Sequence, residues 1–244
     1  MDTRISLKWQ WWAAASGILF EITYAIFYGY FGHNLPPVSA SLSAADLASF
    51  YAANHVSILF GESMAAFVGI LWVPWTAQLT AVMLRIEGET PMLTLVQLIG
   101  GILTAWVVVF CPSIWAACAF RTDSDANTLR GINDLGYIMF NITYMGTTLQ
   151  AVAAGIVGLA DKSAQPLFPR WVSWLAIVAG LSFIPITIMP FFKSGPWSWS
   201  GSINFWAWFG TYFAWITTMS WCMTADVGRR LSQGVRFGRP ALAE

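Results

Sequence analysis

Residues 11–31 read WWAAASGILFEITYAIFYGYF, and the reading of this stretch decides the fold. It is long enough to cross a bilayer, which takes about 20 residues, and it contains no Lys, Arg or Asp. Its single carboxylate, Glu21, lies ten residues beyond Trp11. At 1.5 Å per residue that is about 15 Å along a helix, close to mid-bilayer. A carboxylate at such depth is costly, so it is expected to face a bundle interior and to act there.

The rest of the composition agrees with a lipid-embedded chain. Of 244 residues, 57% are hydrophobic and only 10% are charged, with a mean hydropathy of +0.60. A soluble domain carries about 25% charged residues. Twelve basic and twelve acidic residues cancel, which removes the electrostatic basis for a nucleic-acid partner. The fifteen Trp suit interfacial belts and pocket walls. Cys111, Cys118 and Cys222 sit in apolar runs without a CxxC pattern, so they read as small buried hydrophobes.

Working outward, six apolar segments reach spanning length: 10–31, 57–84, 93–119, 132–160, 171–192 and 203–225. The fold class is therefore all-α, a single integral membrane domain over 1–244 with six transmembrane helices. The segment Ser43–Asp46 has the form of a capping box and predicts a surface helix over 43–55. With the N-terminus inside, nine basic residues fall on one face: Arg4, Lys8, Arg85, Lys162, Arg170, Arg229, Arg230, Arg236 and Arg239. Only Arg121, Arg130 and Lys193 fall on the other. The positive-inside rule then puts both termini in the cytoplasm, with the chain in a cytoplasmic (inner) membrane. The basic tail Arg229–Arg239 reads as a topology anchor.

Polar residues recur in helical phase. Glu21, Tyr24 and Tyr28 share one face of the first span. Asp134, Tyr137, Asn141, Tyr144 and Thr148 follow one face of the fourth; Asn204, Trp208, Thr211, Trp215 and Thr218 do so on the sixth. The second span adds Glu62 and Thr76. Such stripes are expected to face one another rather than lipid. The predicted substrate-binding set is Glu21, Tyr24, Tyr28, Glu62, Asp134, Tyr137, Asn141, Tyr144, Trp208 and Trp215. Tyr hydroxyls and Asn141 are the expected partners of Glu21. Glu62 and Asp134, with His33, His55, Asp123 and Asp125, are expected to line an outer vestibule.

Two short motifs repeat in order. Phe20-Glu-Ile-Thr-Tyr24 matches Phe140-Asn-Ile-Thr-Tyr144, and Gly69–Thr76 matches Gly180–Thr187 around a shared proline. Ala105-Trp106 and Ala214-Trp215 complete the series. Three spans per half predicts a 3+3 inverted repeat. Pro74, Pro112, Pro185 and Pro190 lie inside spans, and each frees a backbone carbonyl.

No span holds a Lys for a retinal Schiff base, and two histidines in one loop region supply neither a haem stack nor a metal cluster. Nucleotide, zinc-protease and serine-hydrolase motifs are absent, so no cofactor is expected. The partners read from the sequence are the lipid bilayer and a small organic molecule. Three functions fit. The first is a small transporter or permease for a small organic solute, with an outward-facing pocket around Glu21. The second is a membrane enzyme of isomerase or cyclase type on a lipophilic substrate, with Glu21 as catalytic proton donor or acceptor. The third is an accessory subunit or ligand sensor.

Overall fold

The computed structural model describes residues 3–237; the last residues of the basic tail, Arg239 among them, lie outside the described residues. The chain is an all-α bundle, with no strand among the described residues. Helix α1 (Thr3–Tyr24) runs on into a π-helical turn, Ala25–Phe31. Helix α2 (Ala44–Gly69) and α3 (Trp72–Glu87) form one bent rod. Helix α4 is Met92–Phe120, and α5 (Ala126–Ile142) with α6 (Met145–Ala160) makes a second broken rod. Helix α7 (Arg170–Ser182) tightens into a 3₁₀ segment, Ile184–Phe191. A π turn, Ser202–Ala207, opens the last helix, α8 (Trp208–Phe237). Four rods, 44–87, 92–120, 126–160 and 170–191, are long and apolar enough to cross a membrane. Exposed Phe, Ile, Leu and Trp around the outside of the bundle are what lipid contact requires.

The separate surface helix expected over 43–55 does not exist. Ser43 caps Asp46 as the sequence predicts, its Oγ accepting the Asp46 N–H at 3.1 Å. From there α2 runs unbroken to Gly69. Its first turns are held upright because Leu47, Tyr51 and Ile58 bury against Cys118, Ala119 and Leu129 from α4 and α5.

The breaks fall where the prolines and short polar side chains place them. Pro112 stays inside a continuous α4, so the carbonyl of Val108, four residues earlier, loses its helical donor. The Tyr24 hydroxyl supplies one at 3.2 Å. At the α2–α3 bend, Ser16 Oγ donates to the Leu71 carbonyl at 3.0 Å. Where α7 gives way to 3₁₀ geometry, Thr148 Oγ1 donates to the Gly180 carbonyl, again at 3.0 Å. These three gaps are closed from a neighbouring rod, as an apolar solvent demands.

Close approach of backbones holds the π turn in place. A Cβ on Gly61 would lie 2.6 Å from the Phe27 carbonyl oxygen and collide with the Gly32 nitrogen. Only glycine lets α2 touch the turn there. At the end of the bundle that carries Arg85, Asp226 gathers that arginine at 3.4 Å and Arg230 at 2.7 Å, tying α3 to α8.

Candidate functional site

A cavity of about 60 Å³ lies in the centre of the bundle, where the π turns, the α5–α6 break and the 3₁₀ segment meet. Eleven of its eighteen lining residues are aromatic, and none is charged. One wall is a ladder of rings: Phe20 to Tyr24 at 5.0 Å, Tyr24 to Tyr28 at 5.0 Å, and Tyr28 to Phe140 at 5.3 Å. The facing wall is Phe183, Trp208 and Tyr212, with Phe183 and Trp208 centroids 5.2 Å apart. Aromatic faces carry negative potential and supply large apolar area.

A few polar groups converge on this space. Thr104 and Thr147 share a hydroxyl contact of 3.0 Å on its edge. Asn141 sits in the lining, its amide donating to the Tyr137 carbonyl at 2.8 Å and its Oδ1 facing Asn204 Nδ2 at 3.4 Å. Trp208 also lines the cavity, and its Nε1 is buried with no partner. Apolar walls with a few fixed polar groups are the usual make-up of a small-molecule site. The space admits water or a molecule of a few heavy atoms, since one water needs roughly 10–15 Å³ by this measure.

Of the residues the sequence singled out, Tyr24, Tyr28, Asn141, Tyr144 and Trp208 line this cavity. The other five do not. Glu21 is buried between α1 and α8, where Oε2 accepts a bond of 2.6 Å from the Thr217 hydroxyl and Oε1 has no partner. Its hydrogen-bond partner is thus Thr217, not a tyrosine or Asn141. Phe20 and Tyr24 line the cavity, while Glu21, on the adjoining part of the same helix face, meets α8 at Thr217. Trp215 packs into a solid ring cluster with Trp72, Trp75 and Tyr212 beneath the cavity. Asp134 is half-buried and accepts from the adjacent Asn133 amide at 3.3 Å.

Glu62 and Tyr137 do not line an open vestibule. Both are sealed under the loop that follows the π turn. Asn34 Nδ2 donates to Glu62 Oε1 at 2.5 Å, and the Tyr137 hydroxyl donates to Asn34 Oδ1 at 2.5 Å. Trp199 lies flat over Tyr137 at 4.9 Å and donates through Nε1 to the Val38 carbonyl at 2.8 Å. Trp115, 4.8 Å from Tyr137 and 5.6 Å from Tyr28, packs between this loop and the cavity wall. His33 packs edge-on against Phe50, His55 bonds its own helix at Ala52, and Asp125 caps α5. Glu62 and Tyr137 are thus closed off, while His33 lines an outer concavity of about 430 Å³ with Phe31, Pro36 and Phe50.

Asn34 and Thr217 are the residues sequence reading missed. Asn34 is a loop residue outside every span, and Thr217 lies one position out of phase with the sixth-span stripe. The only available signal for either was the presence of buried acids in need of donors. A second, wider concavity of about 750 Å³ runs along the outside of α1 and α3, between Trp9, Trp12 and Gln78, and opens laterally.

Comparison with family models, with curated proteins and with solved structures finds no match to this chain.

Proposed function

We propose that this membrane-embedded bundle is a small permease, and that its aromatic cavity is the occluded site of a small organic solute. The observation that carries this reading is the aromatic cavity at the level where four rods depart from α-helical geometry. Irregular backbone within a membrane is tolerated where it lines a cavity, and broken helices around a central site are a recurring transporter design. Aromatic faces, one amide and the Trp208 N–H suit a compact, mainly apolar or cationic solute with one hydrogen-bonding group.

The placement of the breaks supports a repeat. Tyr24 closes α1 just before its π turn, and Tyr144, the same residue of the matching motif, stands at the α5–α6 break. Phe20 and Phe140 of the two motifs both line the cavity. We read this as two three-rod halves of opposite orientation. The excess of basic residues then places both termini on the cytoplasmic side of the inner membrane.

The enzyme reading has less support, because no carboxylic acid lines the cavity and Glu21 is turned away from it. The test is a thermal-shift screen of the purified protein against small phenols, aromatic amines and quaternary ammonium ions. A binder should raise Tm by several degrees in the wild type and not in Trp208→Ala. Stabilisation that survives Trp208→Ala and Asn141→Leu would place the site elsewhere.

A further inference from the structure

We infer that the groove between α1 and α3 is a binding site for one anionic glycerophospholipid, held with its headgroup at the Lys8 end. The groove has a volume of about 750 Å³ and opens laterally, toward the lipid around the bundle. That volume falls within the roughly 300–1,000 Å³ of small-molecule sites. Its lining on α1 runs from Ser6 to Leu19. At 1.5 Å per residue the run measures about 20 Å along the helix. A bilayer of about 40–45 Å, headgroups included, gives one leaflet about that depth. The groove therefore has the length of a single lipid standing in its own leaflet.

Its two ends differ in polarity as the two ends of a lipid do. Near the deep end Phe20 packs on Trp72 at 5.2 Å, and Ser16 Oγ donates to the Leu71 carbonyl. About two turns further along α3, Gln78 comes level with the Trp9–Trp12 turn of α1. At this shallow level the lining holds Ser6, Gln10 and Gln78. At the deep level it is Leu19, Leu71 and Pro74, and the one hydroxyl there, on Ser16, is already engaged. Trp9 and Trp12 are both well exposed and form the rim, where an interfacial ring belongs.

Two side chains say what the headgroup end takes. Gln78 is only 3% exposed, and its Nε2 has no hydrogen-bond partner among the described residues. A buried donor left unpaired is costly, and a phosphate or ester oxygen in the groove would satisfy it. A half-turn of the terminal amide exchanges its nitrogen and oxygen within one shape, so its N–H groups can face the groove. Lys8 is exposed and lies one turn before Trp12, in phase with the lining residues Trp12, Ala15 and Leu19. Arg85 and Arg230 are both taken by Asp226, whereas Lys8 joins no ion pair among the described residues. Its charge at the mouth of the groove complements an anionic headgroup. This site does not depend on the permease reading.

The experiment titrates phosphatidylglycerol or phosphatidylcholine into the full chain in mild detergent, reading Tm and, by native mass spectrometry, the lipids retained. Wild type should retain one phosphatidylglycerol and gain several degrees in Tm, with phosphatidylcholine binding about fivefold more weakly. Gln78→Leu removes the unpaired amide, so it should melt no lower than wild type without lipid and yet lose the response to phosphatidylglycerol. Ala77→Trp sets a ring in the groove at an exposed position and should lose the response too. Lys8→Gln should bring the two lipids to equal affinity. Equal binding of both lipids by the wild type, or a response that survives both Gln78→Leu and Ala77→Trp, would overturn the inference. So would a lipid-free dimer that Ala77→Trp dissociates, which would give the groove to a second copy of the chain.

Discussion

The Tyr24 hydroxyl donates to the carbonyl of Val108, the acceptor that Pro112 leaves without its helical partner. One side chain thus closes a gap in a neighbouring rod and forms part of the cavity wall. Tyr24→Phe leaves a buried carbonyl unpaired and should cost about 1–2 kcal/mol. Pro112→Ala restores the helical N–H, so Tyr24→Phe should cost much less in that background. A double-mutant cycle of unfolding in mixed micelles measures the coupling, expected at about 1 kcal/mol.

Gly61 meets backbone on its open side, so relief by a rotamer change is closed to it. Gly61→Ala should lose about 2–3 kcal/mol through overpacking. Gly131→Ala, with nothing within 4 Å of its added carbon, should leave stability unchanged or slightly higher. Thermal melts of the two variants side by side check the contrast.

Glu21 and Thr217 clasp α1 to α8 away from the cavity. Glu21→Gln keeps a group able to pair with Thr217, so it should fold and retain solute binding within about twofold. Thr217→Val removes the hydroxyl donor to Glu21 and should cost about 1–2 kcal/mol without changing the binding profile. Loss of binding in Glu21→Gln would return the acid to the site.

Asp161, beyond the end of α6, accepts the N–H groups of Ser163 at 2.9 Å and Leu167 at 3.1 Å. Desolvation pushes its carboxyl up, but those N–H groups and the Ser163 hydroxyl together favour the anion more and hold it below the ordinary carboxylate value. A lowered folded value gives stability that is full above the unfolded value of about 3.9 and fades as pH falls through the folded one. Asp161→Ala should therefore cost about 0.5–1 kcal/mol at pH 7, with the gap to wild type closing below about pH 4. Melts across that range measure it.

The all-helical membrane fold was legible because lipid imposes a length and a composition on every span. The Ser43 cap was legible for the same local reason, a side chain three residues from its donor. Helical phase also grouped Tyr24, Tyr28, Asn141, Tyr144 and Trp208, and these five line one cavity. It failed for Glu21, because phase says which residues share a face and not which neighbour that face meets. The closure over Glu62 was hidden for another reason. Its donor, Asn34, belongs to a loop, and loop paths depend on contacts such as Trp199 to Val38 that join residues far apart in sequence.

The most direct test of the account is solute flux in proteoliposomes, using a labelled solute drawn from the stabilising compounds. Wild-type protein should equilibrate the solute across the membrane. Trp208→Ala and Asn141→Leu should each slow it at least tenfold while melting normally, and Glu21→Gln should leave it intact. A stabilising solute that never crosses, or crosses equally fast in all four proteins, would contradict the claim that the aromatic cavity is a transport site.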